Sequence, residues 1–218
     1  MHFQDRRQAG EMLVDKLLDY RGRQPLILAV PRGGVIVADP VWDSLGGEFD
    51  LIITRKIGAP HQPELAIGAV TGDGFHMLND QLVSRLNVGE QYIEKAVDKE
   101  LAEIKRRLKD YRGSRPLPDI DGRLVILIDD GVATGYTLLA ALRSLQEKSP
   151  AELVLAVPVG PPDAFTILER EVDKLVYIKA PANFAAVGQF YREFNQVSDN
   201  EVKAVLRKAG IRGGKDDA

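Results

Sequence analysis

The chain has 218 residues, 44% of them hydrophobic and 28% charged, with a formal net charge of -3 and no cysteine. That mix suits a folded globular chain with a sizeable core and excludes a largely disordered one. The lack of a basic excess argues against non-specific nucleic-acid binding, and the lack of cysteine removes disulfides, thiolate zinc sites and cysteine nucleophiles.

The opening segment, MHFQDRRQAGEMLVDKLL, reads as an amphipathic helix rather than a signal peptide. No stretch approaches the roughly 18 apolar residues of a membrane span, so a cytoplasmic protein without a membrane partner is expected. Residues 26–30 (LILAV) read as a buried strand, ended by Pro31 and a turn at Gly33 and Gly34. Residues 35–45 read as a helix with Pro40 as an irregularity, and residues 50–54 (DLIIT) as a second strand. Residues 65–71 and 75–78 form a predicted hairpin around Gly72, Asp73 and Gly74. Residues 78–89, with Arg85 their only cation, are expected to be a mobile loop. In residues 90–111, Ile93, Val97, Leu101, Ile104 and Leu108 recur at helical spacing, opposite a solvated charged face.

After a loop over residues 113–122, residues 124–128 (LVILI) give the strongest strand signal, and residues 134–148 follow as a helix. Residues 153–157 are another buried strand, 158–162 a rigid turn, 165–171 a helix and 174–178 a strand. An aromatic-rich, irregular stretch covers residues 180–195. Ser198 then caps a last helix, with Glu201 completing a capping box, and the tail GGKDDA is expected to fray. Strands alternating with helices imply an α/β fold with an open, mostly parallel twisted sheet and helices on both faces. Residues 1–179 are expected to form the core and residues 180–218 a small C-terminal hood with the terminal helix. His2, His61 and His76 fit no metal spacing, and Trp42 reads as core.

The chemistry concentrates in residues 124–137, LVILIDDGVATGYT. A buried strand delivers Asp129 and Asp130 at its C-terminal end, the ligand-binding edge of open α/β sheets. Adjacent carboxylates repel, and here they suit sugar hydroxyls or a divalent cation held through water. The following loop carries Gly131 and Gly135 for close backbone approach and the hydroxyls of Thr134 and Thr137. It opens a helix whose free N–H groups favour a phosphate. This segment resembles the phosphoribosyl-pyrophosphate signature of type I phosphoribosyltransferases: an apolar strand, two acids, a small loop, then Thr-Gly-x-Thr.

That resemblance implies a type I phosphoribosyltransferase-like fold and transfer of 5-phosphoribosyl from phosphoribosyl pyrophosphate to a nitrogenous base, with Mg²⁺ as cofactor. It implies that Asp129 and Asp130 hold the ribose hydroxyls, take part in catalysis, and meet the metal through water. Gly131, Val132, Ala133, Thr134, Gly135, Tyr136 and Thr137 would bind the rest of the phosphoribosyl group. VPRGG, residues 30–34, stands where the family has its pyrophosphate loop, giving roles to Arg32, Gly33 and Gly34 and a non-proline cis peptide between Pro31 and Arg32. By itself it is also an ordinary turn after a strand. Arg55 and Lys56 are similar to the Arg-Lys pair of adenine-type members, implying a catalytic Arg55 and a ligand-binding Lys56, or else a solvated basic pair.

Ala133 stands where hypoxanthine- and guanine-specific members usually have an Asp, which argues against a 6-oxopurine acceptor. Phe184, Val187 and Tyr191 are the candidate acceptor-binding residues of the hood; its aromatics either stack on a base or pack the hood itself. A homodimer is implied by the family alone. The alternative reading is a non-catalytic sensor or regulator of phosphoribosyl pyrophosphate or a nucleotide.

Overall fold

A computed structural model describes residues 2–213; of the tail GGKDDA expected to fray, Gly213 is described and buried and residues 214–218 lie outside the described residues. The elements in order are α1 (Arg6–Leu17), β1 (Leu26–Ala29), α2 (Gly33–Leu45), β2 (Glu48–Leu51), β3 (Thr54–Ala59), β4 (Gln62–Thr71), β5 (His76–Leu78), α3 (Asp80–Arg85), α4 (Glu90–Arg112), β6 (Leu124–Ile128), α5 (Tyr136–Gln146), β7 (Glu152–Val159), α6 (Pro162–Leu168), β8 (Lys174–Lys179) and α7 (Asp199–Lys208).

Five strands form a parallel sheet in the order β2-β1-β6-β7-β8. Its central strands β1 and β6, and β7 after Glu152, are continuous apolar runs because both faces are covered, while the edge strands β2 and β8 carry charged residues. Ile27, Ala29, Ile126, Ile128, Val154 and Ala156 face a cluster containing Leu13 of α1 and Val37 and Val41 of α2. Their chain neighbours Leu26, Leu28, Val125, Leu127, Leu153 and Leu155 face Leu138 and Leu142 of α5 and Phe165 of α6. From β1 the chain moves to β2 on one side, and from β6 to β7 on the other. The order therefore reverses between β1 and β6, the place where open α/β sheets leave a crevice for ligands.

A second, antiparallel sheet has the order β3-β4-β5. The sequence predicts only its β4–β5 hairpin. Strand β3 escapes because its pairing shifts register at Gly58, which interrupts the period-two pattern a strand is read from. Long helix α4 lies against this hairpin and buries Val97 and Ile104 from its apolar stripe.

Several boundaries differ from expectation for local reasons. Helix α1 begins at Arg6, where the Asp5 carboxylate accepts the Gln8 N–H at 2.8 Å, and the residues before it are extended. Helix α5 begins at Tyr136 because Gly135 is left-handed, with φ of 79°. Helix α6 begins at Pro162, whose ring pre-sets the first helical residue. The segment over residues 78–89, expected to be a loop, contains α3, whose Leu82 N–H is accepted by the Asn79 side chain at 3.0 Å. The capping box of α7 forms as predicted: the Ser198 N–H donates to the Glu201 carboxylate at 2.8 Å, and the Ser198 hydroxyl accepts the Glu201 N–H at 3.3 Å. Among the described residues, no helix is long and apolar enough to cross a membrane.

Candidate functional site

Strand β6 ends at Ile128, paired with Ala29 at the end of β1, so Asp129 and Asp130 emerge beside the loop that follows β1. The Asp129 carboxylate accepts the Asp130 N–H at 2.8 Å, which holds the two side chains apart. The next loop is anchored by the Val132 N–H, which donates to the Val159 carbonyl at 2.8 Å, and by the Val132 side chain, which is buried. Val132 thus anchors the loop. Gly131 and Gly135 are also buried, while Ala133, Thr134, Tyr136 and Thr137 are exposed. No side chain caps the N-terminus of α5. Its first N–H groups point at the loop with the positive end of the helix dipole, an arrangement suited to a phosphate.

The second wall is the loop entering α2. Its Pro31–Arg32 peptide is cis, as the family resemblance implies. A Cβ on Gly33 would lie 1.9 Å from Asp130 Oδ2, and one on Gly34 2.8 Å from the Ile128 carbonyl oxygen and 2.9 Å from Asp129 Cα. Only glycine lets this backbone rest against the acidic pair. Arg32 points elsewhere: its Nη1 is 3.9 Å from Asp199 Oδ1 at the start of α7.

Burial pushes the Asp129 carboxyl well above the usual carboxylate range, and the neighbouring Asp130 pushes it further. Burial raises Asp130 as well, opposed by a guanidinium that the sequence reading did not identify. Arg6 Nε donates to Asp130 Oδ2 at 2.7 Å, and the two side chains are only 11% and 17% exposed. Arg6 Nη1 also donates to the Asn195 carbonyl at 2.8 Å, and the guanidinium lies 3.8 Å from the centre of the Phe194 ring. An arginine on the polar side of an amphipathic helix gives no local sign of this. The signal exists only once α1 is docked.

The hood is joined to the chain's beginning. Phe3 bridges Tyr191, with the Phe3 N–H donating to the Phe190 carbonyl at 2.8 Å and the Arg192 N–H to the Phe3 carbonyl at 2.9 Å. Residues 3 and 4 thus pair with residues 190–193 of the segment expected to form the hood. Of its candidate acceptor residues, Tyr191 is 6% exposed, and its ring lies between Phe3 and Phe194, with centroids 5.1 and 5.0 Å away. Its hydroxyl donates to the Asp130 carbonyl at 2.6 Å. Tyr191 thus ties its segment to the acidic loop. Val187 packs against Gly131, where an added Cβ would lie 2.5 Å from its Cγ1. Phe184 is half-buried and stacks on Phe190 with centroids 5.3 Å apart.

Arg55 and Lys56 stand on β3 in the second sheet. Arg55 pairs with Glu100 of α4, and Lys56 with Glu64 of β4 at 2.7 Å. Both cations are held by local carboxylates and not by the acidic pair. Next to α3, the Asn79 amide donates to the Tyr136 hydroxyl at 2.9 Å, joining the 78–89 segment to the motif. No group of three or more His, Cys, Asp or Glu residues could hold a metal among the described residues. Asp129 and Asp130 alone suit a hard cation that takes its other oxygens from water and a substrate's phosphates.

Residues 4–191 match the family described as phosphoribosyl transferase domain. A Mycobacterium tuberculosis protein that carries the name "Putative phosphoribosyl transferase" is 40% identical over 207 residues, 95% of this chain and 47% of its own length. The chain thus spans about half the length of the curated relatives it matches. The crystal structure of TT1426 from Thermus thermophilus superposes with a TM-score of 0.81 at 40% identity, covering 95% of this chain and 99% of that one. A shorter similarity, 37% over 54 residues, links the chain to a uracil phosphoribosyltransferase of Streptomyces griseus, covering 25% of this chain and 26% of that protein.

Proposed function

The chain belongs to the phosphoribosyl transferase domain family, and on that premise we propose that it transfers the 5-phosphoribosyl group of phosphoribosyl pyrophosphate to a nitrogenous base, releasing pyrophosphate. One observation carries this reading. The Gly33–Gly34 backbone rests on Asp129 and Asp130 at the reversal point of the sheet, beside an uncapped helix N-terminus. Acceptors for sugar hydroxyls, donors for a terminal phosphate and a glycine loop for a diphosphate thereby stand together at one end of the sheet, which supports this reading.

Asp129 and Asp130 accept hydrogen bonds from the ribose hydroxyls, and the backbone of Ala133 to Thr137 with the two threonine hydroxyls binds the 5′-phosphate. Backbone N–H groups of Gly33 and Gly34 face the diphosphate. Holding both ends of the donor fixes ribose C1 towards the hood. There the acceptor nitrogen forms a bond to C1 as the C1–oxygen bond to pyrophosphate breaks, with positive charge developing on the ring and the nitrogen's proton passing to solvent. The acidic pair lies near that charge and stabilises it. Mg²⁺, when bound, neutralises the diphosphate, and Asp129 and Asp130 would hold its water ligands. Arg6 holds the Asp130 side chain in place and opposes the burial that raises its carboxyl. Ala133, in place of an acid, directs the reading away from 6-oxopurines.

Calorimetric titration with phosphoribosyl pyrophosphate and Mg²⁺, followed by pyrophosphate release across a panel of bases, tests the proposal. Binding with release for one base supports it and names the acceptor. Binding with no release across the panel favours a sensor, and no binding removes the site assignment.

A further inference from the structure

Beside the glycine loop lies a polar cleft of about 130 Å³ lined by Arg32, Arg106, Arg107, Asp110, Tyr111, Asp199 and Lys203. It lies between the start of α2, the C-terminal part of α4 and the first turns of α7. Its lining carries four cations against two carboxylates. Glu103 takes part of that charge from outside the lining, by bonding both Arg106 and Arg107, and Arg106 also pairs with Asp110 at 2.9 Å. Counting Glu103, a surplus of positive charge remains.

Two of the cations are under-used. The Arg32 side chain is 31% exposed, and its nearest carboxylate oxygen, on Asp199, is 3.9 Å away, too far for a hydrogen bond. Lys203 is half-buried and makes no hydrogen bond or ion pair among the described residues. Asp199 is occupied by another donor, the Tyr111 hydroxyl, at 2.5 Å. Tyr111 itself adds no negative charge, because burial and this bond keep its phenol protonated. A guanidinium and an ammonium, both with donors to spare, thus face one cavity. A guanidinium fork and a point-charge amine are the pair of side chains that best complement a phosphate oxyanion.

We propose that this cleft is a phosphate-oxyanion site, with Arg32 and Lys203 as its direct ligands and Arg106 and Arg107 as its positive wall. Arg32 belongs to the glycine loop, so occupancy of the cleft bears on the loop that faces the diphosphate. The oxyanion is free phosphate or pyrophosphate acting as an effector, held apart from the donor bound at the acidic pair.

The test is calorimetric titration of the full chain with inorganic phosphate and, separately, pyrophosphate at low ionic strength. It is repeated on Lys203→Met, on Arg106→Gln from the opposite wall, and on Asp129→Asn/Asp130→Asn. Loss of one charge-assisted contact in Lys203→Met is expected to weaken anion binding about tenfold. Arg106→Gln should weaken it in the same direction, and inorganic phosphate should still bind the double Asn variant, whose altered residues do not line the cleft. Wild-type affinity in a folded Lys203→Met variant, with Arg106→Gln likewise unchanged, overturns the proposal, as does no binding of either anion to the wild type. Simultaneous binding with phosphoribosyl pyrophosphate is expected, and strict competition would reduce the cleft to the diphosphate arm of the donor site and overturn the proposal. Binding that depends on Lys203 in a chain that ignores phosphoribosyl pyrophosphate would leave the cleft standing while the transferase reading fell.

Discussion

Replacing Arg6 with Ala removes the only cation in hydrogen-bond contact with the acidic pair among the described residues. Asp130 is 17% exposed and sits beside Asp129, so the carboxylate left behind is largely desolvated and next to a like charge. Breaking a buried ion pair by removing one partner costs about 3–5 kcal/mol, and the residual exposure places this pair near the lower end, at about 3 kcal/mol. The ring contact with Phe194 and the bond to the Asn195 carbonyl add about 1 kcal/mol between them. In a domain of this size such a loss corresponds to a fall in melting temperature of about 8–16 °C. Scanning calorimetry at neutral pH measures it. The electrostatic part is isolated by repeating the substitution in an Asp130→Asn background, where no orphaned charge remains and the cost should shrink by about 2 kcal/mol. A loss of under about 2 °C, or equal losses in the two backgrounds, would refute the reasoning that Arg6 acts as the counter-charge of Asp130.

Other consequences follow from the same geometry. Asp129→Asn/Asp130→Asn should keep the native circular dichroism yet lose at least about a hundredfold in affinity for phosphoribosyl pyrophosphate, because several charge-assisted bonds go together. Unchanged affinity would remove the acids from the site. Gly34→Ala places a methyl 2.8 Å from the Ile128 carbonyl oxygen and 2.9 Å from Asp129 Cα, both backbone atoms that cannot swing aside. A destabilisation of about 1–3 kcal/mol in denaturant titration is expected, together with weaker ligand binding. Asp73 supplies a pH test away from the site. Burial pushes its carboxyl up, but hydrogen bonds from Lys148, Thr71 and Ser144 prevail and bring it down to about 2. Its contribution to stability is therefore complete above the ordinary carboxylate value of 3.8 and is lost as pH falls towards about 2. Asp73→Asn should flatten the stability curve in that window, and a curve with wild-type slope there would contradict the assignment.

What could be read from the chain beforehand was what short-range patterns encode. The run of residues 124–128 is apolar at every position because helices cover both faces of the parallel sheet, so strand and acidic loop were recognisable together. The Ser198 and Glu201 box is likewise local, since both partners lie within one helical turn. Strand β3 was not legible, because the bulge at Gly58 breaks the alternation and its pairing with β4 is what defines it. Helix α3 was missed for a related reason: at six residues it carries too little periodicity, and Leu82, Val83 and nearby Val88 reveal their role only by packing on the main core.

Within the candidate site, the sequence determined the acids, the glycines and the threonines, since each is required by backbone geometry or by a functional group within one loop. The tertiary structure decided how the charges are matched. It brought Arg6 from the first helix onto Asp130, 124 residues away, and turned Arg32 towards α7. It paired Arg55 and Lys56 with Glu100 and Glu64, and placed Tyr191 between Phe3 and Phe194. The physical reason is that a charge or a ring has no directional period along the chain. Its partner is whichever group the packing of distant elements leaves within about 3 Å in a desolvated place, and that distance does not exist until the sheet and its helices have closed.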